Sequence, residues 1–177
     1  MLGACDRQTS EKAQPQPSQA APAAPGLKGG AVDRTFKGSR LPDFTLTDPK
    51  GGRLRLTELE GQPVLLNLWA TWCAPCVLEM PTLDQLAANQ QGKLRVLTVS
   101  QDMQGPEAVT PFFTKSRFKH LEAWLDPQND LGFHFGGATL PMTVLYDSQG
   151  REVWRAIGGH DWSSTESEKL VSEAYSR

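Results

Sequence analysis

No stretch of this 177-residue chain is apolar for long enough to cross a bilayer as a helix. Its longest nearly continuous apolar run, Val64–Ala70, falls far short of the ~20 residues that a spanning helix needs. An excess of one charge is missing too: 18 Lys and Arg stand against 20 Asp and Glu, a formal charge of -2. No block of like charge offers a footprint to nucleic acid or an anionic surface, which excludes those partner classes. Cysteine is scarce, and three thiols are too few for a miniature fold built on disulfides. Histidine is equally sparse. His120, His134 and His160 lie at no helical spacing from another ligand and read as surface or core-edge residues.

The chain changes character along its length. Residues 14–30 are built from Ala, Pro, Gln, Ser and Gly, which cannot bury enough apolar surface to offset the entropy of ordering. Residues 1–35 are therefore assigned to an N-terminal tether, and residues 36–177 to one domain of ordinary size. Beyond Arg40, Phe44 and Leu46 alternate with polar residues, a turn follows at Asp48–Gly52, and Leu54 and Leu56 alternate with Arg, which predicts a hairpin. Pro63–Trp69 reads as a buried strand, and Val77, Met80, Leu83, Leu86 and Ala87 recur at helical spacing. Leu94–Val99 then gives a second strand and completes a β-α-β unit. A helix around Glu107–Arg117 contains Pro111, which requires it to begin there or bend.

The last third predicts a short strand at Ala123–Leu125, a helix near Gln128–His134, and a hairpin of Met142–Tyr146 with Arg151–Ile157. Ser163 or Ser164 is placed to cap a final helix. Alternating β and α units followed by a terminal hairpin predict an α/β fold with a mixed sheet flanked by helices.

The sharpest chemical feature is Trp72-Cys73-Ala74-Pro75-Cys76, where the buried strand passes into the helix. At a helix N-terminus, unpaired N–H groups and the helix dipole favour a thiolate at Cys73, below the ~8.5 of free cysteine. Cys73 is thereby the candidate nucleophile. Cys76, one turn on, returns to the same helical face and is placed to resolve a mixed disulfide. The competing reading is half of a zinc knuckle, but no second pair of ligands completes one.

Residues 67–81, Asn-Leu-Trp-Ala-Thr-Trp-Cys-Ala-Pro-Cys-Val-Leu-Glu-Met-Pro, resemble the active-site signature of the TlpA, ResA and DsbE group of thioredoxin-like proteins. The resemblance runs from about Leu41 to about Trp154. It implies a thioredoxin fold with an added N-terminal β-hairpin, facing the periplasm or the cell exterior. It implies a thiol-disulfide oxidoreductase that needs no cofactor beyond its Cys73–Cys76 disulfide and binds no metal. Implied partners are protein thiols and disulfides, such as those of cytochrome c maturation, and a DsbD- or CcdA-like membrane electron donor.

Carried onto this chain, Pro81 matches the proline that bends the active-site helix. Leu140-Pro141 matches the cis-proline loop whose backbone meets the substrate, and Trp72 resembles a shield and substrate contact. Trp69 reads as core, and Trp124, Trp154 and Trp162 as packing residues. Cytosolic thioredoxins carry a buried Asp where this chain has Asn67, which cannot titrate. Glu79 matches the acidic residue of ResA-like members, and a carboxylate partly buried near the sulfurs would have a raised pKa and accept the proton of Cys76. Ala74 and Pro75 between the cysteines bring no positive charge, which points to a reductant.

Leu2-Gly3-Ala4-Cys5, with Met1 directly before it, resembles a bacterial lipobox, and Asp6 resembles an inner-membrane retention signal. That likeness implies acylation of Cys5 and an anchored lipoprotein. Three alternatives compete. A peroxiredoxin would need Thr or Ser at position 70 and Pro at position 66, where Ala70 and Leu66 stand. A disulfide oxidase or isomerase would use the same pair at a higher potential. A Cu(I)-handling module would use the two thiolates as ligands.

Overall fold

A computed structural model describes residues 27, 29–137 and 139–175. Its framework is one eight-stranded mixed sheet with the strand order β1-β8-β7-β4-β5-β6-β2-β3. The strands are β1 (Ala31–Asp33), β2 (Thr45–Thr47), β3 (Arg53–Arg55), β4 (Val64–Trp69), β5 (Arg95–Ser100), β6 (Ala123–Leu125), β7 (Met142–Tyr146) and β8 (Glu152–Ile157). The helices are α1 (Ala74–Asn89), α2 (Pro106–Ser116), α3 (Asp130–His134) and α4 (Thr165–Ser172). No helix among the described residues is long and apolar enough to cross a membrane.

β4 sits at the centre, parallel to β5 and antiparallel to β7, and all six of its residues are buried. Side chains alternate across a strand, so its two faces feed two cores. Leu65 and Trp69 pack with Met80, Leu83 and Leu86 of α1 and Val171 of α4. Val64, Leu66 and Leu68 pack on the other face with Leu131 and Phe135 at α3. The same alternation sends the intervening Asn67 to the α1 face. This placement decides the site.

The predicted hairpin forms as β2 and β3, and β2 then pairs with β6, so the hairpin extends the main sheet. The terminal hairpin of β7 and β8 forms around the predicted turn. Ser164 caps α4, its hydroxyl accepting from the Ser167 N–H. α2 starts at Pro106 and runs through Pro111. α1 likewise contains Pro81, which can give no N–H to the carbonyl of Val77.

One boundary moves. Ala31–Asp33, assigned by composition to the tether, pairs antiparallel with Ile157, Ala156 and Arg155 as an edge strand. Backbone pairing needs no apolar side chains, so composition carried no signal of it. Residues 1–26 and 28 of the tether, Cys5 among them, lie outside the described residues.

The far face of β8 holds a buried ion pair that the sequence did not reveal. Arg155 donates from Nε and Nη2 to the two carboxylate oxygens of Glu152, each at 2.7 Å, and from Nη1 to the Phe135 carbonyl at 3.3 Å. The guanidinium carbon also lies 3.7 Å from the Phe36 ring centroid. Arg155→Met would leave the Glu152 carboxylate buried without its cation, and should cost about 3–5 kcal/mol in urea unfolding. Arg155→Met/Glu152→Leu should recover most of that loss, and a double variant as unstable as the single one would contradict this account.

Candidate active site

The Cys-x-x-Cys pair occupies the start of α1. Cys73 is the N-cap, with extended backbone at φ -88 and ψ 99, and Pro75 lies in the first turn, where a missing N–H costs nothing. The sulfurs of Cys73 and Cys76 are joined at 2.01 Å with Cα atoms 5.2 Å apart. The Cys76 N–H points at the Cys73 sulfur, 3.4 Å away, as expected for a helix end that stabilises negative charge there. Cys73 is 6% exposed and Cys76 fully buried, so an outside reactant meets Cys73 first.

Trp72, 68% exposed, precedes the pair on the surface, and Ala74 between the cysteines is exposed beside it. Trp69 is fully buried against Phe112 and Phe113, the core residue the sequence indicated. The turn between them is tied down by Asp102. Its carboxylate accepts from the Thr71 N–H at 2.9 Å and the Thr71 hydroxyl at 2.6 Å. Leu140-Pro141 is a cis peptide bond. Met142 pairs with Leu68, so the register sets Pro141 beside the end of β4 from which the chain enters Trp72-Cys73.

Behind the disulfide, Glu79 is fully buried on the inward face of α1. Asn67 donates from Nδ2 to its Oε1 at 2.7 Å and also to the Thr143 hydroxyl at 3.0 Å. The Glu79 Oε2 accepts from the His160 backbone N–H at 2.9 Å and from the Trp162 indole N–H at 3.3 Å. Among the described residues no cation acts on the carboxyl group. Burial therefore dominates over these donors and pushes its pKa up from 4.5 to about 7. Such a group changes protonation near neutrality, one helical turn beyond Cys76.

Two residues of this cluster were misread from sequence. His160 is a buried partner of Glu79, not a core-edge residue, and Trp162 donates a hydrogen bond to it besides packing. Both follow β8, some eighty residues from Glu79, with no local motif to mark them. Thr82, whose hydroxyl accepts from the Trp162 N–H, was likewise unmarked. Among the described residues, no group of three or more His, Cys, Asp or Glu is arranged to hold a metal ion.

Comparison with known proteins agrees with this geometry. Residues 37–164 match the model of the AhpC/TSA family. The chain belongs to that family. Thiol-disulfide oxidoreductase ResA of Geobacillus kaustophilus is 36% identical over 124 residues, covering 69% of each chain. ResA of Bacillus anthracis is 33% identical over 122 residues, covering 68% of this chain and 69% of the relative. A DsbE-type thiol:disulfide interchange protein of Chlorobium tepidum superposes with a TM-score of 0.69 at 23% identity, covering 78% of this chain and 97% of the other. The exposed lipoprotein thioredoxin of Streptococcus pneumoniae gives 0.61 at 26% identity, covering 73% and 98%. This AhpC/TSA member thus has a thioredoxin fold and is a thiol-disulfide oxidoreductase, as its ResA relatives are.

The raised pKa of Glu79 makes a prediction about stability. Between pH 4.5 and about 7 the folded protein holds a proton that the unfolded chain has released, so stability should fall as pH rises through that window. Glu79→Gln removes this linkage. Urea midpoints measured from pH 4 to 8 should decline less steeply for the variant, and parallel curves would contradict the assignment.

Proposed function

We propose that this oxidoreductase works as a reductant of extracytoplasmic protein disulfides, with Cys73 attacking, Cys76 resolving and Glu79 taking the proton. The observation that carries the reading is the asymmetry of the pair: one sulfur reaches the surface, and the other is enclosed on a helix face that also bears a buried carboxyl group.

In the reduced protein, the Cys73 thiolate attacks one sulfur of the substrate disulfide, forming a mixed disulfide and expelling the other substrate sulfur as a thiolate. Cys76 then gives its proton to the Glu79 carboxylate and attacks the Cys73 sulfur. The Cys73–Cys76 bond forms as the substrate's second sulfur leaves, so the substrate gains two electrons and the enzyme is oxidised. Asn67 would hold the carboxyl group in place. Trp72 and the backbone of Leu140-Pro141 would receive the substrate strand, since backbone hydrogen bonds tolerate many sequences.

Each turnover leaves a disulfide, so a thiol donor must restore the pair, and a DsbD- or CcdA-like membrane protein fits that need. The named activity of the ResA relatives supports the chemistry. The likeness to an exposed lipoprotein thioredoxin supports a site outside the cytoplasm, as does the lipobox-like Leu2–Cys5. A periplasmic lipoprotein anchored through Cys5, serving cytochrome c maturation or a similar thiol pathway, is the fullest form of the proposal.

Cys73→Ser should abolish exchange, whereas Cys76→Ser should accumulate mixed disulfides that non-reducing gels detect. Trapping by the Cys73 variant instead would reverse the roles. Equilibration with glutathione should place the potential nearer the ~-270 mV of thioredoxin than the ~-120 mV of DsbA. A value above ~-180 mV would favour an oxidase or isomerase.

A further inference from the structure

We propose that His160 is a positioning residue of the redox centre, held by the residues that precede β1, and that together they seal the Glu79 carboxyl group from water. The inference rests on Glu79 belonging to that centre, and names the part of the chain that encloses it.

His160 is linked in two directions. Its backbone N–H donates to Glu79 Oε2 at 2.9 Å, while its Nδ1 accepts the Gly30 N–H at 2.8 Å. The imidazole stacks on Trp162, with ring centroids 4.9 Å apart, and Trp162 is the other donor to the same carboxylate oxygen. Gly29 lies against the ring: a Cβ there would come within 3.1 Å of His160 Cε1. Leu27 lies against the loop after β8. A Cβ on Gly159 would come within 2.7 Å of Leu27 Cδ2 and 3.4 Å of Pro75 Cβ, so the N-terminal segment and a residue between the cysteines both approach that glycine.

Glycine is required at position 30 by close approach. A Cβ there would stand 2.4 Å from the Ile157 carbonyl oxygen and 2.8 Å from that of Gly158, both backbone atoms that cannot swing aside. β1 continues directly from this point and pairs Ala31 with Ile157. The segment is thus laid along the end of β8 and over the loop that delivers both donors to Glu79.

The charge environment fits a neutral acceptor. Burial holds the His160 pKa below its ordinary value, against the opposing pull of Glu166 and Asp161, so near neutral pH Nδ1 keeps a lone pair for the Gly30 N–H. Facing Glu79 are Asn67, Trp162 and the His160 backbone, none charged, with the Cys73–Cys76 pair on the same helix. Protein closure is what keeps this carboxyl group out of solvent, and loosening the loop should let water in.

The test is direct titration of Glu79 by carboxyl carbon NMR in the oxidised full-length protein, where neither active-site thiol titrates. The signal lost in Glu79→Gln identifies the resonance. His160→Ala removes the ring, and Gly30→Ala lifts the segment through its backbone clash without altering the site itself. Both should lower the Glu79 midpoint by about one pH unit as water reaches the carboxyl group. His160→Asn places an oxygen acceptor where Nδ1 stood and should keep the midpoint of the parent protein. Amide spectra of the sheet report whether each variant is folded, and the two His160 variants suffice if Gly30→Ala is not.

A midpoint unmoved or raised in His160→Ala overturns the proposal. So does a fall in His160→Asn equal to that in His160→Ala, since the Gly30 hydrogen bond would then not be the link. A parent midpoint at the ordinary 4.5 overturns the enclosure itself. The readout is independent of exchange kinetics. If Glu79→Gln exchanges disulfides at the parent rate and pH profile while the midpoint shifts hold, proton acceptance by Glu79 fails and the positioning of His160 stands.

Discussion

A carboxyl group enclosed without a cation is the constraint around which this site is arranged. Burying a charge without a partner is costly, so Glu79 is pushed towards its neutral form until its pKa approaches 7. Its three donors come from separated parts of the chain: Asn67 on β4, and His160 and Trp162 in the loop after β8. Those elements are held together by the sheet and by the packing of α1 across it. The carboxyl group keeps its environment only while the tertiary structure holds.

The same geometry separates two kinds of residue near the disulfide. Cys73 and the exposed Trp72 stand at the surface, at the end of β4 and the start of α1, with the half-buried Leu140 and the buried Pro141 beside them. Cys76, Asn67, Glu79 and Trp162 are closed in behind. An oxidoreductase benefits from this division. On the proposed mechanism, a resolving thiol that outside disulfides cannot reach is reserved for the intramolecular step, and a neighbouring group that titrates near neutrality would move a proton without a large energetic penalty.

Local patterns carried much of the fold. The buried run of β4, the helical periodicity of α1 and the hairpin of β7 and β8 each follow from short-range rules, and the strands β4, β7 and β8 begin and end within a residue of the expected ones. The edge strand β1 was missed because its stabilisation is backbone pairing to β8 in a segment poor in large apolar side chains. Arg155 and Glu152 looked like ordinary strand charges, since nothing in their sequence neighbourhood shows that Phe36 and Phe135 cover them.

The sequence by itself determined the chemistry: two cysteines at a strand-to-helix junction, an asparagine in place of a titratable residue on the strand, and an acidic residue one turn beyond the second cysteine. These are local facts, set by spacing along one strand and one helix. Only the tertiary structure decided how that acid is tuned and enclosed, because its partners are His160 and Trp162, some eighty residues away, and the residues packed on His160 are Gly29 and Gly30 at the other end of the chain. Desolvation depends on everything that surrounds a group, and that surrounding exists only once the chain has folded.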